Sequence, residues 1–379
     1  MRPTTLRLSL VVAASVALLA VAASGVFAAG DLSACALVAS EGTDPNPLGI
    51  ILEGVDAVDG QAWAVGGHVV GPVSDPVIWR WDGSAWSDQK LQTPPGPIGI
   101  SSFYSVKAFS PMDVWAVGSW MGQDALVEHW DGHAWSLVTV PSFRGAENIL
   151  TGVAGTSSTD VWLVGQRQFD GQMHGVVLHG GTQGFQIVTP PDVAILHNVA
   201  MLDGQPLVEG WRIQRDGFAV PVIALGSAPG TWQEEQVPAE KGGNVFLTGL
   251  AVGTGGAAWA VGWSDDSPNG DTPVAYQRGA DGWATVAVPD QGGSTRLVSV
   301  AADQQGTIAV GSVSANGSSR AIAVHASDAG WTAVSGAGSQ PPDALASVAL
   351  DGADIWGVGR AVVVGATYGV PSARIYSCG

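Results

Sequence analysis

Apolar and polar residues alternate along the chain in short runs, and Gly, Pro, Asp or Ser interrupts each run. A period of two predicts half-buried strands; no segment keeps the 3.6-residue spacing of an amphipathic helix. Residues 101–141 show the unit most clearly. Within it, 104–109, 113–118, 125–130 and 134–140 read as four strands rich in Val, Trp and Leu. The third and fourth are joined at Trp130-Asp131-Gly132, as they are at Trp81-Asp82-Gly83, where Gly supplies the positive φ of a tight connection.

The same pattern recurs. Its landmark is Trp63-Ala64-Val65-Gly66, Trp115-Ala116-Val117-Gly118, Trp162-Leu163-Val164-Gly165, Trp259-Ala260-Val261-Gly262 and Trp356-Gly357-Val358-Gly359. Two degenerate copies, Leu207-Val208-Glu209-Gly210 and Ile308-Ala309-Val310-Gly311, fill the gaps and leave spacings of 45 to 52 residues. Four strands per unit of that length is the signature of a propeller blade. The expected fold is therefore all-β, a seven-bladed β-propeller over residues 29–379.

The ends of the chain predict how the ring closes. Fourth-strand aromatics stand at Trp86, Trp135, Phe185, Trp232, Trp283 and Trp331, one fewer than the landmarks. The C-terminal copy stops after its third strand, so the N-terminal strand is expected to complete the last blade. Stepping back from Trp86 by one repeat lands on Cys35, and Cys378 falls at the third-to-fourth-strand turn. The chain has no other Cys, and a Cys35–Cys378 disulfide is expected across that hairpin.

Composition narrows the class. Gly numbers 53 and Trp 16, as blade turns and blade cores require, while charged residues are only 13% of the chain and the formal charge is −18. Nucleic acid is excluded as a partner, because the chain has only 3 Lys and lacks basic patches. Residues 1–28 carry Arg2 and Arg7, an apolar run and Val26-Phe27-Ala28, which read as a signal peptide, with a retained membrane anchor as the alternative because the apolar stretch up to Ala29 is long enough to span. The expected product is a secreted, extracellular monomer with no membrane contact after cleavage. Leu32-Ser33-Ala34-Cys35 is similar to a lipobox, but Asp31 interrupts the required apolar approach.

The Asp-Val-Trp-Ala-Val-Gly unit at 113–118, followed by His129-Trp130-Asp131-Gly132 and Trp135, resembles repeats of secreted bacterial β-propellers. These are distant relatives of BNR-type and Ycf48-like propellers. The resemblance covers the chain after residue 28 and implies the fold. It implies no particular activity, because propellers host many functions.

Candidate chemistry must then come from what is not repeated. Core positions account for the repeated Trp residues. The small residues Gly54, Ser105, Gly152, Asn198, Gly249, Ser299 and Ser347 read as packing on crowded innermost strands. His129, His179 and His325 share one repeat position, with Arg80, Gln277 and Tyr376 at the same place in other copies; equivalent sites on different blades diverge and hold no common metal. The segments between second and third strands read as long, irregular loops on one face. They carry extra aromatics, Trp120, Trp211 and Trp263, with Phe169 and Tyr368 further on, suited to stacking on a sugar or anchoring a peptide. Asp265, Asp266, Asn269 and Asp271 place oxygens as in the first half of a calcium loop, although Tyr276 stands where the closing Glu belongs. No cofactor is expected beyond that calcium. No G-x-S-x-G elbow, P-loop or dinucleotide fingerprint is present. The sequence thus points to a non-catalytic module binding a glycan, peptide or protein on its loop face. The alternative is a hydrolase or lyase acting on polysaccharide through loop-face carboxylates.

Overall fold

The computed structural model describes residues 35–38, 49–92, 94, 99–143, 146–192, 195–238, 243–265, 267, 270–304, 306–327, 330–334, 344–351, 354–361 and 370–378. Their strands form seven four-stranded sheets. Six are blades of four consecutive strands, spanning 50–88, 102–137, 146–188, 195–235, 245–285 and 294–333, and are numbered blades 1 to 6 in that order. The expected count of seven blades is corrected here: uninterrupted blades number six. The remaining sheet is composite, in the order Cys35–Val38, Val370–Cys378, Asp354–Ala361, Ala344–Asp351. Three C-terminal strands alone would leave a bare edge, and a strand from the other end of the chain covers it.

The register of that closure also differs from the sequence alignment. Ile375, not Tyr376, lies opposite Trp356, as Arg80 lies opposite Trp63. Leu37 lies opposite Tyr376 as Trp86 lies opposite Trp81, so Leu37 rather than Cys35 is the counterpart of Trp86. Cys35 nonetheless remains opposite Cys378.

Apolar faces of neighbouring sheets form the core. Trp63, Val65 and Ile78 of blade 1 pack with Phe103, Val106 and Leu126 of blade 2. The composite sheet packs on both sides, through Trp356 and Val358 against Leu52 and Trp86 of blade 1, and through Leu345 and Ile355 against Ile308 and Val310 of blade 6. Trp63, Trp115, Trp135 and Trp356 are among the largest fully buried side chains, and truncating such an aromatic typically costs 3–5 kcal/mol.

The Val-Gly landmark has a steric cause. Each innermost strand carries a β-bulge opposite the landmark: register shifts fall at Leu52/Gly54, Phe103/Ser105, Leu150/Gly152, Leu196/Asn198, Leu247/Gly249, Leu297/Ser299 and Leu345/Ser347. The bulge presses a carbonyl against the second strand. A Cβ at Gly165 would stand 2.0 Å from the Ile149 oxygen, and one at Gly66 would stand 1.9 Å from the Ile51 oxygen. Only glycine fits beneath the bulge.

The expected long loops between second and third strands are mostly strand. In blade 3, Asp160–Phe169 and Gln172–Gly181 are joined by Asp170 and Gly171 alone, at φ 51° and 74°. In blade 6, Asn316 and Gly317 do the same at φ 52° and 78°. Paired positive φ values are the tight hairpin turn that follows strand twist, and the sequence reading took Asp170-Gly171 for part of an irregular loop.

Two further motifs acquire roles. His129 Nε2 lies 2.8 Å from Asp113 Oδ1 while its ring packs on Trp115 at 4.4 Å. His179 repeats this with Asp160 at 2.8 Å and Trp162 at 4.0 Å. The Asp of Asp-Val-Trp thus fixes a third-strand His over the core Trp. Blade 6 has Gly306 at the Asp position, and there His325 Nε2 finds no partner.

Glu128 stands where the other five uninterrupted blades have Trp79, Leu178, Ala224, Tyr276 and Val324. It is buried; one oxygen accepts the Gln92 N–H at 3.0 Å and the other has no partner. Burial raises its pKa from 4.5 to about 7, against the smaller opposing effect of that hydrogen bond. The folded state therefore holds a proton that the unfolded state releases. Its stabilising share is complete below about pH 4.5 and is lost as pH rises to about 7, at up to about 1.4 kcal/mol per pH unit. Glu128→Gln is expected to flatten that decline and to raise the urea midpoint at pH 8. An unchanged pH profile in denaturant titrations would contradict this assignment.

Candidate functional site

The seven bulges place seven side chains around the propeller axis. Each bulge leaves one residue unpaired between its flanking ladder positions: Glu53, Tyr104, Thr151, His197 and Thr248 on blades 1 to 5, Val298 on blade 6 and Ala346 on the composite sheet. All seven line one central cavity of about 650 Å³, within the size range of small-ligand sites. The following small residues, among them Ser105, Asn198, Ser299 and Ser347, line it too. The sequence reading assigned these to packing alone. The signal it lacked is the unpaired residue just before each of them, which has no repeated identity.

Packing is nonetheless part of their work. Thr151 Oγ1 donates to the Leu196 carbonyl of the next blade at 2.8 Å, and Thr248 Oγ1 to the Leu297 carbonyl at 3.1 Å. Ser347 Oγ accepts the Val55 N–H at 3.2 Å, and Ser299 Oγ accepts the Val348 N–H at 3.3 Å. This belt ties neighbouring innermost strands together around the axis. It also turns hydroxyl protons into the wall, so Thr151 and Thr248 keep oxygen lone pairs available as acceptors.

The polarity of the cavity is largely neutral. Tyr104 lies 3.5 Å from Ser119 through the two hydroxyl oxygens. Asn198 Oδ1 accepts the Val199 N–H at 2.9 Å. His197 is uncharged at neutral pH, because burial pushes its imidazole down to about 4. Glu53 has a partner within the protein.

The ladder step that lines the cavity at Ile149 and Gln166 of blade 3 carries Trp211 on blade 4 and Phe246 and Trp263 on blade 5. Trp211 of blade 4 meets Phe246 of blade 5 edge-on, with ring centroids 5.3 Å apart. Phe246 lies opposite Trp263 in the ladder, with centroids 4.4 Å apart. The Arg296 guanidinium of blade 6 lies 4.0 Å over the Trp263 ring, and its Nε donates to Asp271 at 2.6 Å. Four side chains from three blades thus make a continuous strip. The corresponding places are Ile51 and Gly67 on blade 1 and Ser102 and Ser119 on blade 2, none of them aromatic.

The other expected ligand residues lie elsewhere. Trp120 packs on the core shared by blades 1 and 2. Phe169 lies beside Arg167, 5.5 Å from its guanidinium, and lines a separate cavity of about 320 Å³ with Phe143 and Ile187. Tyr368 lies outside the described residues. So do Asp266 and Asn269 of the expected calcium loop. Asp265 accepts the Asn244 backbone N–H at 2.9 Å and its side-chain Nδ2 at 2.8 Å, while Asp271 is engaged by Arg296 and by Ser294 Oγ at 3.2 Å. Among the described residues, no group of three or more His, Cys, Asp or Glu is placed to hold a metal ion.

No protein-family model matches the chain, and no match appears among curated protein sequences. Solved structures do match in fold. A structure of YCF48 bound to a D1 peptide is similar over 93% of this chain and 97% of its own, at 13% identity and TM-score 0.58. YCF48 from Cyanidioschyzon merolae is similar over 87% of this chain and 96% of its own, at 12% identity and TM-score 0.52. A polysaccharide lyase, an ulvan lyase in a saccharide-bound structure, is similar over 86% of this chain and 91% of its own, at 11% identity and TM-score 0.54. At these identities the likeness establishes the β-propeller fold.

Proposed function

We propose that this protein is a secreted, non-catalytic binding module that takes a glycan or peptide ligand at the mouth of its axial funnel. The observation that carries the reading is the joining of Trp211, Phe246, Trp263 and Arg296 into one strip at the ladder step that lines the roughly 650 Å³ cavity through Ile51 on blade 1 and Ile149 on blade 3. Two of these four are residues that the repeat does not explain. Solved propellers of this general fold include one bound to a peptide and one bound to a saccharide, which supports either ligand. The double variant Trp211→Ala/Trp263→Ala is expected to weaken binding of an array-selected ligand tenfold or more, as loss of aromatic anchors does. Trp120→Ala, away from the mouth, is the control. Equal effects of the two variants would sink the proposed location.

The alternative reading, a polysaccharide hydrolase or lyase using loop-face carboxylates, takes support from the lyase neighbour's fold. It is weakened by the engagement of Asp265 and Asp271 with Asn244, Ser294 and Arg296.

Secretion of a monomer rests on the 1–28 signal, which lies outside the described residues, and on the cysteines. Directly opposed residues of an antiparallel pair have Cα atoms about 4.5–5.5 Å apart, inside the disulfide range. The Cys35–Cys378 register meets that condition. The bond would close a loop of nearly the whole chain, stabilising by about 5 kcal/mol on the chain-entropy account. Titration of the unreduced, denatured protein with a thiol reagent is expected to find no thiol; two would refute the pairing.

A further inference from the structure

We propose that the axial cavity receives the end of an uncharged saccharide chain, entering along the propeller axis past the aromatic strip. This rests on the funnel being the ligand site and goes further by naming the ligand's chemistry and its mode of entry.

The mode of entry follows from topology. The cavity wall draws residues from all seven sheets: Ile51, Tyr104, Thr151, His197, Thr248 and Val298 from blades 1 to 6, and Leu345 from the composite sheet. A cavity encircled on every side admits nothing sideways. A polymer can reach it only by an end, whereas a groove between blades would take an internal segment.

The chemistry follows from the lining. Among the described residues, its polar groups are hydroxyls, amides, a neutral imidazole and the single carboxyl of Glu53, with no Lys or Arg. A peptide C-terminus would bring a carboxylate to a wall with no cation among its described residues. A peptide N-terminus would bring an ammonium to a wall whose one carboxyl already has a partner. Either buried charge is costly without a counter-charge. An acidic saccharide meets the same obstacle in a chain of formal charge −18. An uncharged sugar has the complementary character. Its hydroxyls donate to Thr151 and Thr248 oxygens and exchange hydrogen bonds with Tyr104 and Asn198. Its apolar C–H face suits the strip of Trp211, Phe246 and Trp263 at the adjoining ladder step of blades 4 and 5.

The test uses calorimetry with linear cello-, malto-, xylo- and manno-oligosaccharides, cyclodextrins as end-less malto-oligosaccharides, and a panel of peptides with free and with blocked termini. At least one linear oligosaccharide series is expected to bind, and cyclodextrins are not. Tyr104→Phe, which removes one hydroxyl, is expected to weaken that binding about tenfold. Ala346→Phe, which fills the cavity and deletes no polar group, is expected to weaken it a hundredfold or more with the melting temperature unchanged; should that variant fail to fold, Tyr104→Phe carries the test. Saccharide binding that Tyr104→Phe leaves intact, while Trp211→Ala/Trp263→Ala weakens it, would overturn end-on entry and leave the mouth as the binding site. Binding by peptides and by no oligosaccharide would overturn the ligand class alone. Binding by neither panel would overturn this inference and count against the funnel itself.

Discussion

Gly165→Ala is expected to destabilise the protein by about 4 kcal/mol or more, the range reserved for a named steric failure. The added methyl would sit 2.0 Å from the Ile149 oxygen, 2.8 Å from Leu150 Cα and 2.9 Å from the Ile149 carbonyl carbon. These are backbone atoms and cannot rotate aside. Relief requires straightening the bulge between Leu150 and Gly152. Straightening would withdraw Thr151 from the cavity wall and break its 2.8 Å hydrogen bond to the Leu196 carbonyl of blade 4. The damage therefore crosses from one blade to the next and reaches the candidate site. Gly171→Ala is the matched control. Gly171 sits at φ 74° in a hairpin turn with nothing within 4 Å of its Cβ position, so only the left-handed conformation is penalised, by about 1 kcal/mol. Urea midpoints measured for both variants decide the matter. If Gly165→Ala costs no more than Gly171→Ala, the landmark glycine is not there to accommodate the bulge.

That contrast also shows what the sequence could disclose. The Val-Gly landmark is legible because the same close approach recurs at every bulge, so one residue type repeats. The core Trp residues and the Asp-Gly turns at Asp82 and Asp131 are legible for the same reason; each Asp accepts from the two following turn amides. The bulge residues are hidden because a ligand site need not repeat. Glu53, Tyr104, Thr151 and His197 share a position in space and nothing in chemistry. Trp211 and Trp263 stood out as surplus aromatics. Phe246 and Arg296, which join them into a strip, did not, because each looks like an ordinary first-strand residue until neighbouring blades are brought together. Trp120 looked like Trp211 in the alignment, yet it lies one residue further past its landmark glycine. In a strand that single step turns a side chain to the other face.

Glu209→Val should stabilise the protein at neutral pH. Glu209 occupies the landmark position held by Val65, Val117, Val164, Val261, Val310 and Val358 in the other copies. Those valines face the next blade: Val65 packs with Phe103 and Val106, and Val164 with Leu196 and Val199. Glu209 is fully buried at the equivalent place between blades 4 and 5, opposite Asn198 in the ladder, and neither carboxyl oxygen has a hydrogen-bond partner. Burial alone raises its pKa well above 4.5. A buried, unsatisfied polar group costs about 1–3 kcal/mol, and an apolar residue at such a site is often the more stable choice. The folded state retains the proton that the unfolded state sheds. This carboxyl is therefore least costly below about pH 4.5, and its penalty grows as pH rises toward the elevated folded pKa, at up to about 1.4 kcal/mol per unit. The gain from Glu209→Val should accordingly be small at pH 4 and about 2 kcal/mol or more at pH 8, with the smaller Glu128 dependence persisting in the variant. Denaturant titrations at the two pH values separate these contributions. A variant that is less stable than the parent at pH 8 would mean that the carboxylate has favourable interactions which Val cannot replace. Such a result would move Glu209 from an electrostatic burden on the fold to a structural partner of Asn198 behind the cavity wall.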